Sequence, residues 1–115
     1  MRRIPWWQWI PFQRRWRVVG IVDEADDVPG RLPRNGGVIV ESMGKRKWLV
    51  FDCPCRKGHR ILLNIFADKA GPHWRIVSDA SLTVSPSVDV AHGDQRCHYF
   101  IRRGKIIWAT HLRGA

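Results

Sequence analysis

Cysteine is scarce and odd in number, with only Cys53, Cys55 and Cys97 in 115 residues. No apolar secretory segment follows the first Met, and two of the thiols form a tight Cys-Pro-Cys pair. The expectation is therefore reduced thiols in a cytoplasmic protein rather than a secreted disulfide scaffold. No apolar run approaches the ~20 residues that a membrane-spanning helix needs. Acidic residues are missing from both ends. The first twenty residues carry Arg2, Arg3, Arg14, Arg15 and Arg17 and no acid, and the last twenty carry Arg96, Arg102, Arg103, Lys105 and Arg113, again with none. Internal repeats, low-complexity tracts and a Gly-x-Ser-x-Gly nucleophile elbow are also absent.

What is present is one domain's worth of chain with a 44% hydrophobic share, which excludes a disordered basic tail. A formal charge of +10 points to an anionic or acidic partner, and seven Trp beside a single Tyr call for burial or an interface. Residues 1–20 read as a basic, Trp-rich arm and 21–115 as a single β domain. Short runs rich in β-branched and aromatic residues recur at 37–41, 47–51, 60–66, 74–77, 82–84, 99–102 and 105–108, with 17–22 as a further candidate. The fold class is mainly β, a small antiparallel sheet or open barrel of about seven short strands. Residues 60–66 place apolar side chains on both faces and read as a central strand. The acidic stretch before Pro29 offers the one helical turn, and 28–37 reads as a loop.

Three features carry chemistry. The first is Asp52-Cys-Pro-Cys-Arg-Lys-Gly-His59. One intervening residue puts Cys53 and Cys55 on the same side of an extended chain, too close for an unstrained disulfide. Gly58 lets the chain turn so that His59 follows, and Cys97 or His98 from a later hairpin would complete a tetrahedral zinc site. A reactive thiol without metal, favoured by Arg56, Lys57 and Arg60, and simple packing of buried Cys are the competing readings. Adjacent Cys97 and His98 point to opposite faces of a regular strand, so only one of them reaches a site shared with Cys53 and Cys55.

The second is Ser85-Pro-Ser87, where a strand-breaking Pro displays two hydroxyls. In a peptidase the nucleophile would be Ser87 or Cys97, the base His98 or His59, and the orienting acid Asp79 or Asp89. A Ser-rich turn is the plainer alternative. The third is the arm, whose Trp6, Trp7, Trp9, Phe12 and Trp16 alternate with Arg. That pattern suits single-stranded nucleic acid, a membrane surface, or packing against the domain itself or a partner protomer. His73, His92 and His111 read as surface or turn residues.

From about Ile21 onward the chain resembles the BubE-like family of small bacterial and phage-borne proteins, some of them encoded in ubiquitin-like conjugation operons. The resemblance rests on Glu24-Ala-Asp-Asp-Val-Pro29, Phe51-Asp-Cys-Pro-Cys55, Gly58-His-Arg-Ile-Leu-Leu-Asn64, His73-Trp-Arg75, Leu82-Thr-Val-Ser-Pro-Ser-Val88 and Arg96-Cys-His-Tyr-Phe-Ile-Arg-Arg-Gly-Lys-Ile-Ile-Trp108. The family tends to read Cys-Pro-Cys-Gly-Cys-Gly at the first site and Cys-Arg-Ser-His at the later one. Here Lys57 and Gln95 stand where Cys would fall, and Cys97 stands where Ser is usual. Two accounts follow: Cys97 has taken over a ligand position, or the metal is gone and a Ser-like catalytic position has become a thiol. The resemblance implies a peptidase acting on a ubiquitin-like or other protein substrate, with Ser87, Cys97 and His98 as catalytic candidates. Zinc would be held among Cys53, Cys55, His59, Cys97 and His98. The alternative is a non-enzymatic, zinc-stabilised module that binds nucleic acid through its basic, Trp-rich surface.

Overall fold

Strand-forming residues dominate, and the computed structural model, which describes residues 2–3, 15–66 and 73–109, arranges them in two sheets. The strands are β1 (Arg2–Arg3), β2 (Arg17–Val22), β3 (Gly36–Ser42), β4 (Lys45–Asp52), β5 (Arg60–Asn64), β6 (Arg75–Ser78), β7 (Thr83–His92), β8 (Gln95–Arg102) and β9 (Lys105–Trp108). Sheet A runs β1-β2-β3-β4-β5 and sheet B runs β6-β7-β8-β9. The mainly β class expected from sequence is therefore the class observed. Among the described residues, no helix is long and apolar enough to cross a membrane.

One pairing departs from an all-antiparallel sheet: β2 and β3 are parallel. A parallel neighbour needs a long crossover, and residues 23–35 supply it, with a 3-10 turn at Ala25–Asp27 in the acidic stretch. The crossover also acts as a lid. Its Leu32 and Val28 pack with Val19, Val22, Val38, Val40 and Val50, covering the outer face of β2–β4. Burial on both faces explains why Val38-Ile-Val40 is an unbroken apolar run. The loop expected over 28–37 ends earlier, because Gly36 and Gly37 already belong to β3. This cover does not extend to β5, which is an edge strand rather than the expected central one, and its Leu62 is left 47% exposed.

The main core lies between the sheets. Val18, Ile39, Leu49, Phe51, Ile61 and Leu63 of sheet A meet Val84, Val88, Tyr99 and Ile101 of sheet B and Leu82 of the turn before β7. Trp16 joins them, its ring edge-on to Phe51 at 5.6 Å. Backbone bonds close one corner: Trp16 N–H donates to Gly104 O, Gly104 N–H to Leu82 O, and Leu82 N–H to Trp16 O. Trp16 and residues 17–20, assigned above to the arm, are thus buried in the domain. Arg17 is the least expected of these, because its side chain is fully buried and its guanidinium donates to the carbonyls of Arg34 and Arg15. Residues 4–14 of the arm, with Trp6, Trp7, Trp9 and Phe12, lie outside the described residues, as does His111.

Hairpin turns follow their residues. Met43-Gly44 and Arg103-Gly104 all adopt positive φ, the geometry of two-residue turns whose twist matches the strands. A third turn, at Gly93-Asp94, joins β7 to β8 and lengthens both strands beyond the short runs visible in sequence.

Across the sheets, Arg46 donates two bonds to Asp79, at 3.0 and 2.8 Å. Both side chains are more than a third exposed, at 40% and 37%. Arg46→Ala should therefore lower the unfolding free energy by no more than ~1 kcal/mol, measured by urea denaturation, with the loss shrinking as salt is added.

Candidate functional site

Strand β8 carries two sites, one on each face. Alternation turns Cys97, Tyr99 and Ile101 into the core, where all are buried, and leaves His98, Phe100 and Arg102 on the outer side of sheet B.

On the inner side, the β4–β5 turn meets Cys97. Cys53 N–H donates to His59 O at 2.8 Å and Arg56 N–H to Cys53 O at 3.0 Å, folding the turn back on itself. Arg56 and Gly58 take up the positive φ this requires, 62° and 90°. The turn is held down by Arg60, whose guanidinium donates to Asp52 and to the Pro29 and Gly30 carbonyls of the crossover.

The result is a Cys₃His group. The candidate ligand atoms of Cys53, Cys55, His59 and Cys97 all lie within 4.8 Å of one another. Cys55 Sγ is 3.4 Å from His59 Nδ1, and Cys53 Sγ is 3.8 Å from the Tyr99 hydroxyl. Zinc bonded to sulfur at ~2.3 Å in a tetrahedron spaces its ligand atoms about 3.8 Å apart, so the group needs only a small contraction to fit. Burial, and then the Cys53 and Cys55 sulfurs, push the Cys97 thiol up to about 12. Burial also opposes ionisation of Cys55, yet the Lys57 backbone N–H and the other two thiols outweigh it and bring Cys55 down. Three thiolates this close repel one another, and a soft divalent cation removes that repulsion, so the donor set suits a metal. Cys97 stands with Cys53 and Cys55, as in the first of the two accounts above. His98 is outside the group.

On the outer side, Ser87 meets His98. The register of β7 against β8 shifts between Val84↔Ile101 and Val88↔Tyr99, so Ser85, Pro86 and Ser87 stand opposite Phe100 alone. Pro86, which has no N–H for a ladder bond, sits within this bulge after a cis peptide bond. Beyond the bulge the pairing is regular again. Val88 faces the core, and Ser87 shares the outer face with His98, its Oγ 2.9 Å from His98 Nε2. The Trp74 indole N–H donates to the Ser87 carbonyl at 3.0 Å, and the Trp74 backbone N–H donates to Asn64 O of sheet A. Trp74 thereby ties the bulge to the other sheet. Nothing in the sequence pattern marked it for that part.

The remaining candidates fall elsewhere. Asp89 lies directly across from His98 in the register, but both its oxygens accept from Arg96, at 2.8 and 2.6 Å. That pairing, with a smaller contribution from the charge of His98, holds the Asp89 carboxyl below its ordinary range. Asp79 is taken up by Arg46. Cys97 is on the far side of the sheet from Ser87, and His59 is in the Cys₃His group.

A small two-sheet β protein with a Ser–His pair on its open face and a Cys₃His group beneath it is the class these features define. Residues 24–109 match the model of one protein family, described as bacterial ubiquitination-like system serine protease (BubE). The match spans about three-quarters of the chain, and the chain belongs to this family. No curated protein and no solved structure matches it.

Proposed function

We propose that the chain is a serine peptidase of a ubiquitin-like conjugation pathway, cleaving an amide bond at a ubiquitin-like protein. The observation that carries this is the 2.9 Å contact between Ser87 Oγ and His98 Nε2 on the open face of sheet B. That distance is the reach required between a nucleophile and its base.

In the first half-reaction Ser87 Oγ attacks the substrate carbonyl carbon and its proton passes to His98 Nε2. His98 then gives that proton to the leaving nitrogen as the C–N bond breaks, leaving an acyl ester on Ser87. Water, deprotonated by His98, attacks the ester, and the proton returns to Ser87 Oγ as the acid product departs.

Cys53, Cys55, His59 and Cys97 are the residues that would hold zinc. Bound there, it would supply structural cross-linking between the β4–β5 turn and β8, behind the strand that carries His98.

Trp74 is a positioning residue for Ser87. Trp74→Phe keeps an aromatic ring but removes the N–H bonded to the Ser87 carbonyl. The variant should lose about tenfold in kcat with KM nearly unchanged, measured by steady-state kinetics beside a thermal melt. A lowered melting temperature with a raised KM alongside the fall in kcat would assign Trp74 to packing alone.

The direct test of the activity is a ubiquitin-like protein carrying a short C-terminal extension, incubated with the chain and weighed by mass spectrometry. The wild type should release the extension and Ser87→Ala should not. An intact substrate, or cleavage by Ser87→Ala, would overturn the assignment.

A further inference from the structure

Away from Ser87 the outer face of sheet B continues as an open groove of about 620 Å³. Val77, Pro86 and Phe100 give it apolar lining beside the hydroxyls of Thr83 and Ser85, and its far end holds Arg102 and Arg103. The volume falls in the range of sites that take several side chains of a ligand. The groove begins at the candidate nucleophile, since Ser87 is one of its lining residues.

We propose that this groove selects substrates with an acidic side chain about four residues from the cleaved bond and an apolar residue in between, and that Arg102 is the specificity-determining cation. The inference rests on the peptidase reading of Ser87 and His98. Along β8 the outer positions are His98, Phe100 and Arg102. At about 3.3 Å per residue, Arg102 lies ~13 Å from His98, the span of four residues of an extended peptide laid beside the strand. Phe100, midway, offers an aromatic face to an apolar side chain. It also holds the Arg102 guanidinium, whose central carbon is 4.5 Å from the ring centroid.

Among the described residues, the ion pairs involve neither Arg102 nor Arg103. The nearby acids of sheet B are spoken for, Asp79 by Arg46 and Asp89 by Arg96. Arg103 is fixed in place by its φ of 51° and by its N–H, which donates to Thr83 Oγ1 at 2.9 Å. Two guanidinium groups with no ion-pair partner among the described residues, beyond the apolar face of Phe100, match a carboxylate that follows an apolar residue.

The test uses a capped peptide in which a central Gly-Gly is flanked on each side by Leu, Gly and then Asp, and a counterpart with Lys in place of Asp. Both are titrated into the ¹⁵N-labelled full chain carrying Ser87→Ala, so that neither is consumed. The Asp peptide should shift the amide resonances of Phe100, Arg102 and Arg103 and bind about five- to tenfold tighter than the Lys peptide at low salt, with the preference shrinking as salt rises. Arg102→Glu should reverse the order, a gain that misfolding does not produce. Equal binding of the two peptides, shifts confined to other surfaces, or an unchanged order in Arg102→Glu would overturn the inference. Binding with the expected preference, alongside a wild type that cleaves nothing, would instead sink the peptidase reading and leave the groove assignment standing.

Discussion

Ser87→Ala is expected to lower kcat/KM for cleavage by at least ~10³-fold while leaving the thermal unfolding midpoint essentially unchanged. The two halves of this expectation have separate physical grounds. In the proposed mechanism, removing Oγ removes the atom that forms the acyl ester, so the loss would be that of the chemical step itself. The hydroxyl lies on the outer face of sheet B and supports no core contact, so its removal opens no cavity. His98→Ala should reach the same order of loss. The double variant should be no worse than either single one, because nucleophile and base act as a unit. Additive losses in the double variant, measured on the same extended ubiquitin-like substrate, would show that the two residues work independently.

Loss of the metal group is the second large effect, and it runs the other way round. The purified chain should carry one zinc by elemental analysis. Cys53→Ser, or a strong chelator, should cost several kcal/mol of stability, because the ligands join the β4–β5 turn of sheet A to β8 of sheet B. For a domain of this size ~3 kcal/mol corresponds to roughly 10–20 °C in the melting midpoint. Cleavage should fall in step with unfolding, since His98 rides on the strand that Cys97 anchors. Restored zinc should recover both in the wild type and neither in Cys53→Ser. A chain that contains no metal, with Cys53→Ser melting as the wild type does, would remove the metal from the account.

Ser87 and Cys97 should therefore give opposite signatures, activity without stability at one and stability first at the other. That contrast was partly legible in the sequence. Cys97-His98 are consecutive, and a strand sends consecutive residues to opposite faces, so a site on each side of β8 follows from period two alone. The hairpins at Met43-Gly44 and Arg103-Gly104 are visible in the same way, as turn residues between alternating apolar runs. The contact of Ser87 with His98 was not legible, because it depends on the bulge at residues 85–87, which sets the register of everything after it. A register depends on a partner strand and cannot be read from one strand. The edge position of β5 was hidden for a related reason. Its two apolar faces look alike in sequence, and only the reach of the crossover decides which one is covered. Arg17 misleads as a sequence signal too, since a basic residue in a basic segment gives no sign that its guanidinium will be spent on buried carbonyls.

The basic charge also takes on a local meaning. Arg46, Arg60 and Arg96 serve ion pairs within the fold, and Arg17 serves backbone carbonyls. Arg102 and Arg103 remain at the far end of the groove that begins at Ser87. Part of the excess charge is thus architectural and part faces the position a substrate would take.

The most direct measurement is covalent labelling of the native chain with a fluorophosphonate, which reacts with a hydroxyl activated by a neighbouring base, followed by peptide mapping. The expected result is a single adduct on Ser87, absent from His98→Ala and formed whether or not the natural substrate is in hand. A folded chain that stays unlabelled, or an adduct on Ser85 or Cys97 instead, would contradict the assignment of Ser87 and His98 as nucleophile and base.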